Sequence, residues 1–215
     1  MFNMMIRTGI LSVPTQDLAT VDAVTATVRA GVPGVVLLEE ATATHQQHLI
    51  AEILRRWSDE VELDLILTVG GTLPAPGPSP RHVTPEATLS VVERLVPGLP
   101  ETMRMAAQEE NPLALLDRGV AGIRGRTLIV NLPAGPATVV AFLEPVLDLL
   151  APIIAHLHEA DDAPTPETWY AGAEATDADE TPGDTHPSGL NAADFAAFLR
   201  RGDASRDDAS RDDAS

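Results

Sequence analysis

The sequence predicts an α/β domain, a doubly wound, mainly parallel sheet with helices on both faces, followed by an acidic C-terminal tail. Three observations carry this. Apolar runs of strand length alternate with stretches of helical periodicity. The alternation repeats on a scale of about 30 residues, that of a strand–helix–strand unit. Large apolar residues thin out beyond residue 160. Runs that are apolar at every position suit strands buried on both faces, which a helix-covered parallel sheet requires.

Ile6 to Val13 reads as the first buried strand. Leu18 to Ala30 follows as a helix with Val21, Val24 and Val28 facing inward and Thr25 on the same stripe, and Gly31 ends it. Val35, Val36, Leu37 and Leu38 form the second strand; Leu49, Ile50, Ile53, Leu54 and Trp57 mark a second helix running to about Ser58. Leu63 to Val69 is the third strand. A helical region covers 85–110 with a break near Pro97, and a short helix spans 112–117. Thr127 to Asn131 is a further strand before a long terminal helix. That helix contains the most apolar stretch, Ala137 to Leu157, but Glu144, Pro145, Asp148 and Pro152 interrupt it, so it is not expected to span a membrane.

Charge and composition divide the chain near residue 160. Residues 1–159 carry 10 Arg against 18 acids, a net of −8, and residues 160–215 carry 4 against 14, a net of −10. The expected organisation is a domain over 1–160 and a mostly disordered tail over 161–215, ending in repeated Asp-Ala-Ser-Arg units. Within the tail, Asn191 suits the cap of a short helix at 191–201 with Phe195, Phe198 and Leu199 on one side.

The chain has no cysteine, and all 14 of its basic residues are Arg. A disulfide framework, a thiolate metal cage, a Cys nucleophile and any lysine-dependent phosphate loop or Schiff base are therefore excluded. A net charge of −18 repels nucleic acid and anionic membranes, so small or neutral partners are expected. No basic segment with an apolar core opens the chain, which reads as cytoplasmic.

In doubly wound folds ligands lie at the carboxyl ends of the strands. There the third strand ends in Gly70-Gly71-Thr72, where backbone can approach a ligand without an intervening side chain. A proline-stiffened loop then leads through Arg81 and His82 to Thr84-Pro85-Glu86. Thr84 suits a helix cap, Pro85 the first helical position and Glu86 the positive end of the dipole. The amide end of that helix and Arg81 together suit an anion. A second loop, Asn131-Leu132-Pro133-Ala134-Gly135-Pro136, leaves the later strand, and the two loops can form one cleft. His45 and His48 lack a third metal ligand, and Ser12 lacks a triad.

The run from Asp64 to Thr72, then Pro80-Arg81-His82-Val83-Thr84-Pro85-Glu86-Ala87-Thr88, resembles the molybdopterin-binding domain of the molybdenum-cofactor biosynthesis family. Pro97 to Arg104, Arg118 to Gly125 and Leu128 to Pro133 resemble the family's later segments in order, so the resemblance spans residues 6–157. It implies a doubly wound fold, a homotrimer, and binding of molybdopterin with adenylylation of its phosphate by MgATP. Such chemistry rests on positioning and charge stabilisation. On this reading Gly70, Gly71 and Thr72 donate hydrogen bonds, Arg81 offsets phosphate charge, and Asn131, Pro133 and Gly135 close the other side.

The departures from the family bear on chemistry. Leu73 follows Thr72 where the family has glycine, and His82 stands in place of a carboxylate. Ser12-Val13 replaces Ser-Asp, and the Ala137-Thr138 region replaces a lysine. Glu39 and Glu40 lie near the family's aspartate after the second strand and are the candidate Mg²⁺ ligands, with Glu40 and His82 as catalytic candidates. Two readings stay open: a molybdopterin adenylyltransferase, and a molybdopterin- or nucleotide-binding carrier of the same fold that has lost catalysis. A scaffold that recruits other cofactor-assembly proteins through its tail is a third.

Overall fold

Six strands form one sheet in the order β2-β1-β3-β6-β5-β4. The computed structural model describes residues 4–74, 82–160, 163 and 165; the expected tail and the helix at 191–201 lie outside them, as does Arg81. The strands are β1 (Ile6–Ser12), β2 (Val35–Thr42), β3 (Leu65–Val69), β4 (Arg94–Leu95), β5 (Ala121–Arg124) and β6 (Thr127–Leu132). The helices are α1 (Leu18–Gly31), α2 (Gln47–Asp59), α3 (Thr84–Leu89), α4 (Gly98–Ala107), α5 (Pro136–Leu143) and α6 (Leu147–Leu157), with 3-10 turns at Pro112–Leu116 and Glu144–Val146. β2, β1, β3 and β6 run parallel, whereas β5 is antiparallel to β6 and β4 antiparallel to β5.

Period-two alternation along the central strands sorts the core into two layers. Ile10, Leu65, Leu67, Leu128 and Val130 face Val21, Val24 and Val28 of α1, Leu99 and Met103 of α4, and Phe142, Leu143 and Ile154 of α5 and α6. Leu11, Ile66 and Ile129 face the other way, onto Ile50, Leu54 and Trp57 of α2 and Ala87 of α3. Asp17 caps α1, its carboxylate accepting from the Thr20 hydroxyl at 2.6 Å.

Three expectations change and one strand is added. β2 is not a four-residue run buried on both faces. It extends to Thr42 as an edge strand whose Val36, Leu38, Glu40 and Thr42 are exposed while alternate residues are half-buried. The region 85–110 holds two helices separated by β4, because the chain crosses from one layer to the other there. β5, too short and too polar to read from sequence, pairs antiparallel beside β6. The terminal helix is two helices, broken at the 3-10 turn that contains Pro145. By length and composition Pro136–Leu157 could cross a membrane. In this fold Val139, Phe142, Leu143, Val146, Leu150 and Ile154 of that stretch are core residues.

β1 lies at the point where the strand order reverses, with β2 on one side and β3 on the other. The chain leaving β1 goes to one edge and the chain leaving β3 to the other. A crevice therefore opens at the carboxyl ends of β1, β3 and β6.

Candidate functional site

A cavity of about 350 Å³ lies at these strand ends, a volume in the range of small-molecule sites. β1 contributes Val13 and Pro14, the turn after β3 contributes Gly71, Thr72 and Leu73, and the turn after β6 contributes Pro133 and Ala134. His82 lines it ahead of α3, Thr138 and Phe142 line it from α5, and the 3-10 segment adds Asn111, Leu113, Ala114 and Asp117.

The glycine pair shapes the turn. Gly70 and Gly71 have φ of +89° and +69°, a left-handed region that side-chain-bearing residues rarely adopt. A Cβ on Gly70 would stand 2.2 Å from the Val13 carbonyl oxygen, and one on Gly71 would stand 2.3 Å from Thr84 Oγ1. Close packing against β1 and α3 is thus what the glycines provide. The Gly70 N–H donates to the Leu132 carbonyl at 2.8 Å, tying the turn to β6, so that amide is not free for a ligand.

Several predicted residues serve the scaffold. Thr84 does not cap α3; Val83 holds that place, and the Thr84 hydroxyl donates to the Gly70 carbonyl at 2.9 Å from a fully buried position. Two positions at the start of α3 offer no amide to an anion. The Thr84 N–H donates to the Gly71 carbonyl at 3.3 Å, and Pro85 has no N–H. The Asn131 side chain is buried; its amide donates to Thr68 Oγ1 at 2.9 Å and Thr88 Oγ1 at 2.8 Å, and its oxygen accepts from the Val120 N–H. It fastens β3, α3 and β5 together. Gly135 takes φ of +102° at the start of α5, and its N–H donates to Thr20 Oγ1 at 3.2 Å. Only Pro133 of this group faces the cavity.

Glu39 and Glu40 sit within β2, opposite Gly9 and Ile10 of β1, rather than beyond its end. Glu40 is exposed and accepts from Gln16 Nε2 at 2.6 Å. Neither lines the cavity. Among the described residues no cluster of three His, Asp or Glu side chains is arranged to hold a metal.

The polar groups that do converge are Thr72, His82 and Asp117. The Thr72 hydroxyl donates to Asp117 Oδ2, and the Gly119 N–H donates to Oδ1 at 2.8 Å. The Arg118 N–H donates to the Thr72 carbonyl at 2.9 Å, which docks the 117–119 loop against the glycine turn. Burial pushes the Asp117 carboxyl above its ordinary range, against the opposing pull of Thr72, the Gly119 amide and Arg104. His82 Nδ1 is buried and finds no hydrogen-bond partner among the described residues. Sequence reasoning missed Asp117. Its signal was faint: an acid beside Arg118-Gly119 at the end of a short apolar segment.

Fold and cleft together define a class: a doubly wound α/β domain with a small-molecule crevice at its topological switch point. Residues 19–156 match the family model described as "Probable molybdopterin binding domain", and the chain belongs to that family. It is 43% identical over 101 residues to a molybdopterin adenylyltransferase of Helicobacter pylori, covering 47% of this chain and 55% of that protein. With the molybdopterin adenylyltransferase of Escherichia coli K12 it shares 40% identity over 119 residues, 55% of this chain and 59% of that one. The chain thus spans a little over half the length of these curated relatives. Among solved structures it is similar to the molybdopterin biosynthesis enzyme MoaB of Thermus thermophilus, with a TM-score of 0.65 and 40% identity over 72% of this chain and 98% of that one. The Mog protein of Mycobacterium ulcerans gives a TM-score of 0.60 at 28% identity, covering 71% and 99%.

Proposed function

We propose that the chain binds molybdopterin in this cleft and adenylylates its phosphate with MgATP, within molybdenum cofactor biosynthesis. One observation carries the reading. Gly71 and Thr72 of the glycine turn, the buried Asp117 and His82 line one cavity whose remaining walls are largely apolar. That combination suits a ligand with a flat ring and a phosphate, and the curated relatives similar to this chain include molybdopterin adenylyltransferases.

In the reaction an oxygen of the molybdopterin phosphate attacks the α-phosphorus of ATP, the bond to the β-phosphate oxygen breaks, and pyrophosphate leaves. The protein's contribution is alignment and charge stabilisation. Val13, Pro133 and Phe142 offer apolar walls for the ring. Thr72 and His82 line the same cavity and are placed to meet the phosphate. The residues do not fit a magnesium ion held by the protein. Asp117, the one carboxylate in the lining, already accepts from Thr72 and Gly119, and Glu39 and Glu40 lie in the edge strand. Mg²⁺ in this reading arrives on the nucleotide phosphates as part of the substrate, and no step is assigned to a protein-bound ion.

The shortage of cleft carboxylates favours a second reading, a carrier that binds without turnover. Incubating the full chain with molybdopterin and MgATP and following adenylylated molybdopterin and pyrophosphate separates the two. Turnover is expected for the native chain. Binding without product would establish the carrier instead, and product gained only with His82→Asp would locate the loss. A homotrimer is implied by the family resemblance; light scattering on the eluted protein tests it.

A further inference from the structure

Asp117 is buried, yet the groups around it are mostly neutral donors. Oδ1 accepts the Gly119 N–H and Oδ2 accepts the Thr72 hydroxyl. Among the described residues, the charged and titratable groups facing it from neighbouring elements are few. Arg104 of α4 directs its guanidinium at the carbonyls of Gly119, 3.1 Å, and Asp117, 3.5 Å, rather than at the carboxylate. Arg118 turns away to pair with Glu86 and to reach the His82 carbonyl at 3.4 Å. His82 lines the same cavity. A Cβ on Gly119 would come within 2.7 Å of Asp117 Oδ1, so the loop is shaped around that oxygen.

A threonine hydroxyl has one hydrogen to give. While Asp117 is ionised, Thr72 gives it inward and presents only lone pairs to the cleft, beside a buried negative charge. When the carboxyl is protonated, Oδ2 becomes the donor, and the Thr72 hydrogen is released towards the cavity.

We infer that Asp117 is a positioning residue that sets the direction of the Thr72 hydroxyl, so that the cleft accepts an anionic, phosphate-bearing ligand when Asp117 is protonated and disfavours it when Asp117 is ionised. The choice of molybdopterin as that ligand rests on the function proposed above; the coupling of Asp117 to Thr72 does not. Asn at position 117 mimics the protonated state, its amide nitrogen donating to Thr72 while its oxygen accepts from Gly119.

The test is the dissociation constant of molybdopterin for the native full chain and for Asp117→Asn, measured from pH 4 to pH 8. Ionisation of the ligand is common to both proteins and largely cancels in their ratio. Native binding is expected to weaken relative to Asp117→Asn by up to about tenfold per pH unit above the Asp117 midpoint. A flat ratio overturns the inference. In parallel, the Gly119 amide resonance reports Asp117 directly in the free protein. Its midpoint is expected above the ordinary carboxylate value of about 3.9, and Thr72→Val should move it higher by removing a donor to the charged form. A midpoint at or below the ordinary value, or one indifferent to Thr72→Val, overturns the inference even if molybdopterin proves not to be the ligand. Failure of both proteins to bind molybdopterin at every pH, with the Gly119 titration as expected, overturns the proposed substrate alone.

Discussion

The two ends of the parallel strands each bury an aspartate, and the two are treated in opposite ways. At the amino end Asp64 is held by the Arg7 guanidinium and backbone amide. The Arg7 backbone N–H donates to it at 2.7 Å, and the Arg7 guanidinium adds contacts of 3.2 and 3.0 Å. His158, beyond the last turn of α6, brings Nε2 to 3.0 Å. A hollow of about 270 Å³ lies here too, with the Arg7–Asp64 pair in its lining. At the carboxyl end Asp117 meets a hydroxyl and an amide, and among the described residues no guanidinium donates to its carboxylate. The first arrangement closes the sheet and pins α6; the second leaves a carboxyl whose protonation is open to change beside a cavity. Burial alone therefore does not mark a functional carboxylate. The charge of its partners does.

The comparison can be broken at either end. Gly70→Ala carries the largest expected effect, because a side chain must enter a left-handed backbone 2.2 Å from the Val13 carbonyl oxygen. A loss of about 3 kcal/mol is expected, read by urea denaturation; a loss below about 1 kcal/mol would mean the turn is free to rearrange. Asp64→Ala follows, at about 2 kcal/mol, because the Arg7 N–H and guanidinium lose their acceptor. If it instead changed ligand binding and left stability alone, the two ends would have been assigned the wrong roles.

Asp117→Asn should act with the opposite sign. Burial raises the folded-state value of this carboxyl, so its favourable contribution holds at low pH and is lost as pH rises through that value. The variant is expected to melt above the native protein at pH 8, the gap closing towards pH 4. A native protein that melts higher at pH 8 would contradict this. Arg118→Ala, which breaks a half-exposed pair with Glu86, should cost less than about 1 kcal/mol. It provides the baseline for an ion pair that is neither lock nor switch.

The parallel half of the fold was legible because its strands are apolar runs and its helices carry clear stripes. Leu65 to Val69 and the Val21-Val24-Val28 stripe need no tertiary information to be read. The antiparallel edge was not legible: Arg94–Leu95 and Ala121–Arg124 are strands only because β6 offers a free side to pair with. Likewise Val35 to Leu38 reads as a buried run, yet the strand is an edge and alternates. In the site, the Gly-Gly-Thr turn and His82 were visible from their place after a strand. Thr84 and Asn131 looked like ligand contacts because a polar residue near a strand end looks the same whether it faces a cavity or a neighbouring strand. Asp117 reaches the cleft from 45 residues beyond Thr72, a distance that no local pattern spans.

A crystal structure of the full chain with molybdopterin would show whether the ligand occupies the crevice at the carboxyl ends of β1, β3 and β6. The expected result is the ligand against Thr72, His82 and Pro133, with its phosphate near the Thr72 hydroxyl. Ordered molybdopterin elsewhere, for instance in the Arg7–Asp64–His158 hollow, with the crevice unchanged, would contradict the account.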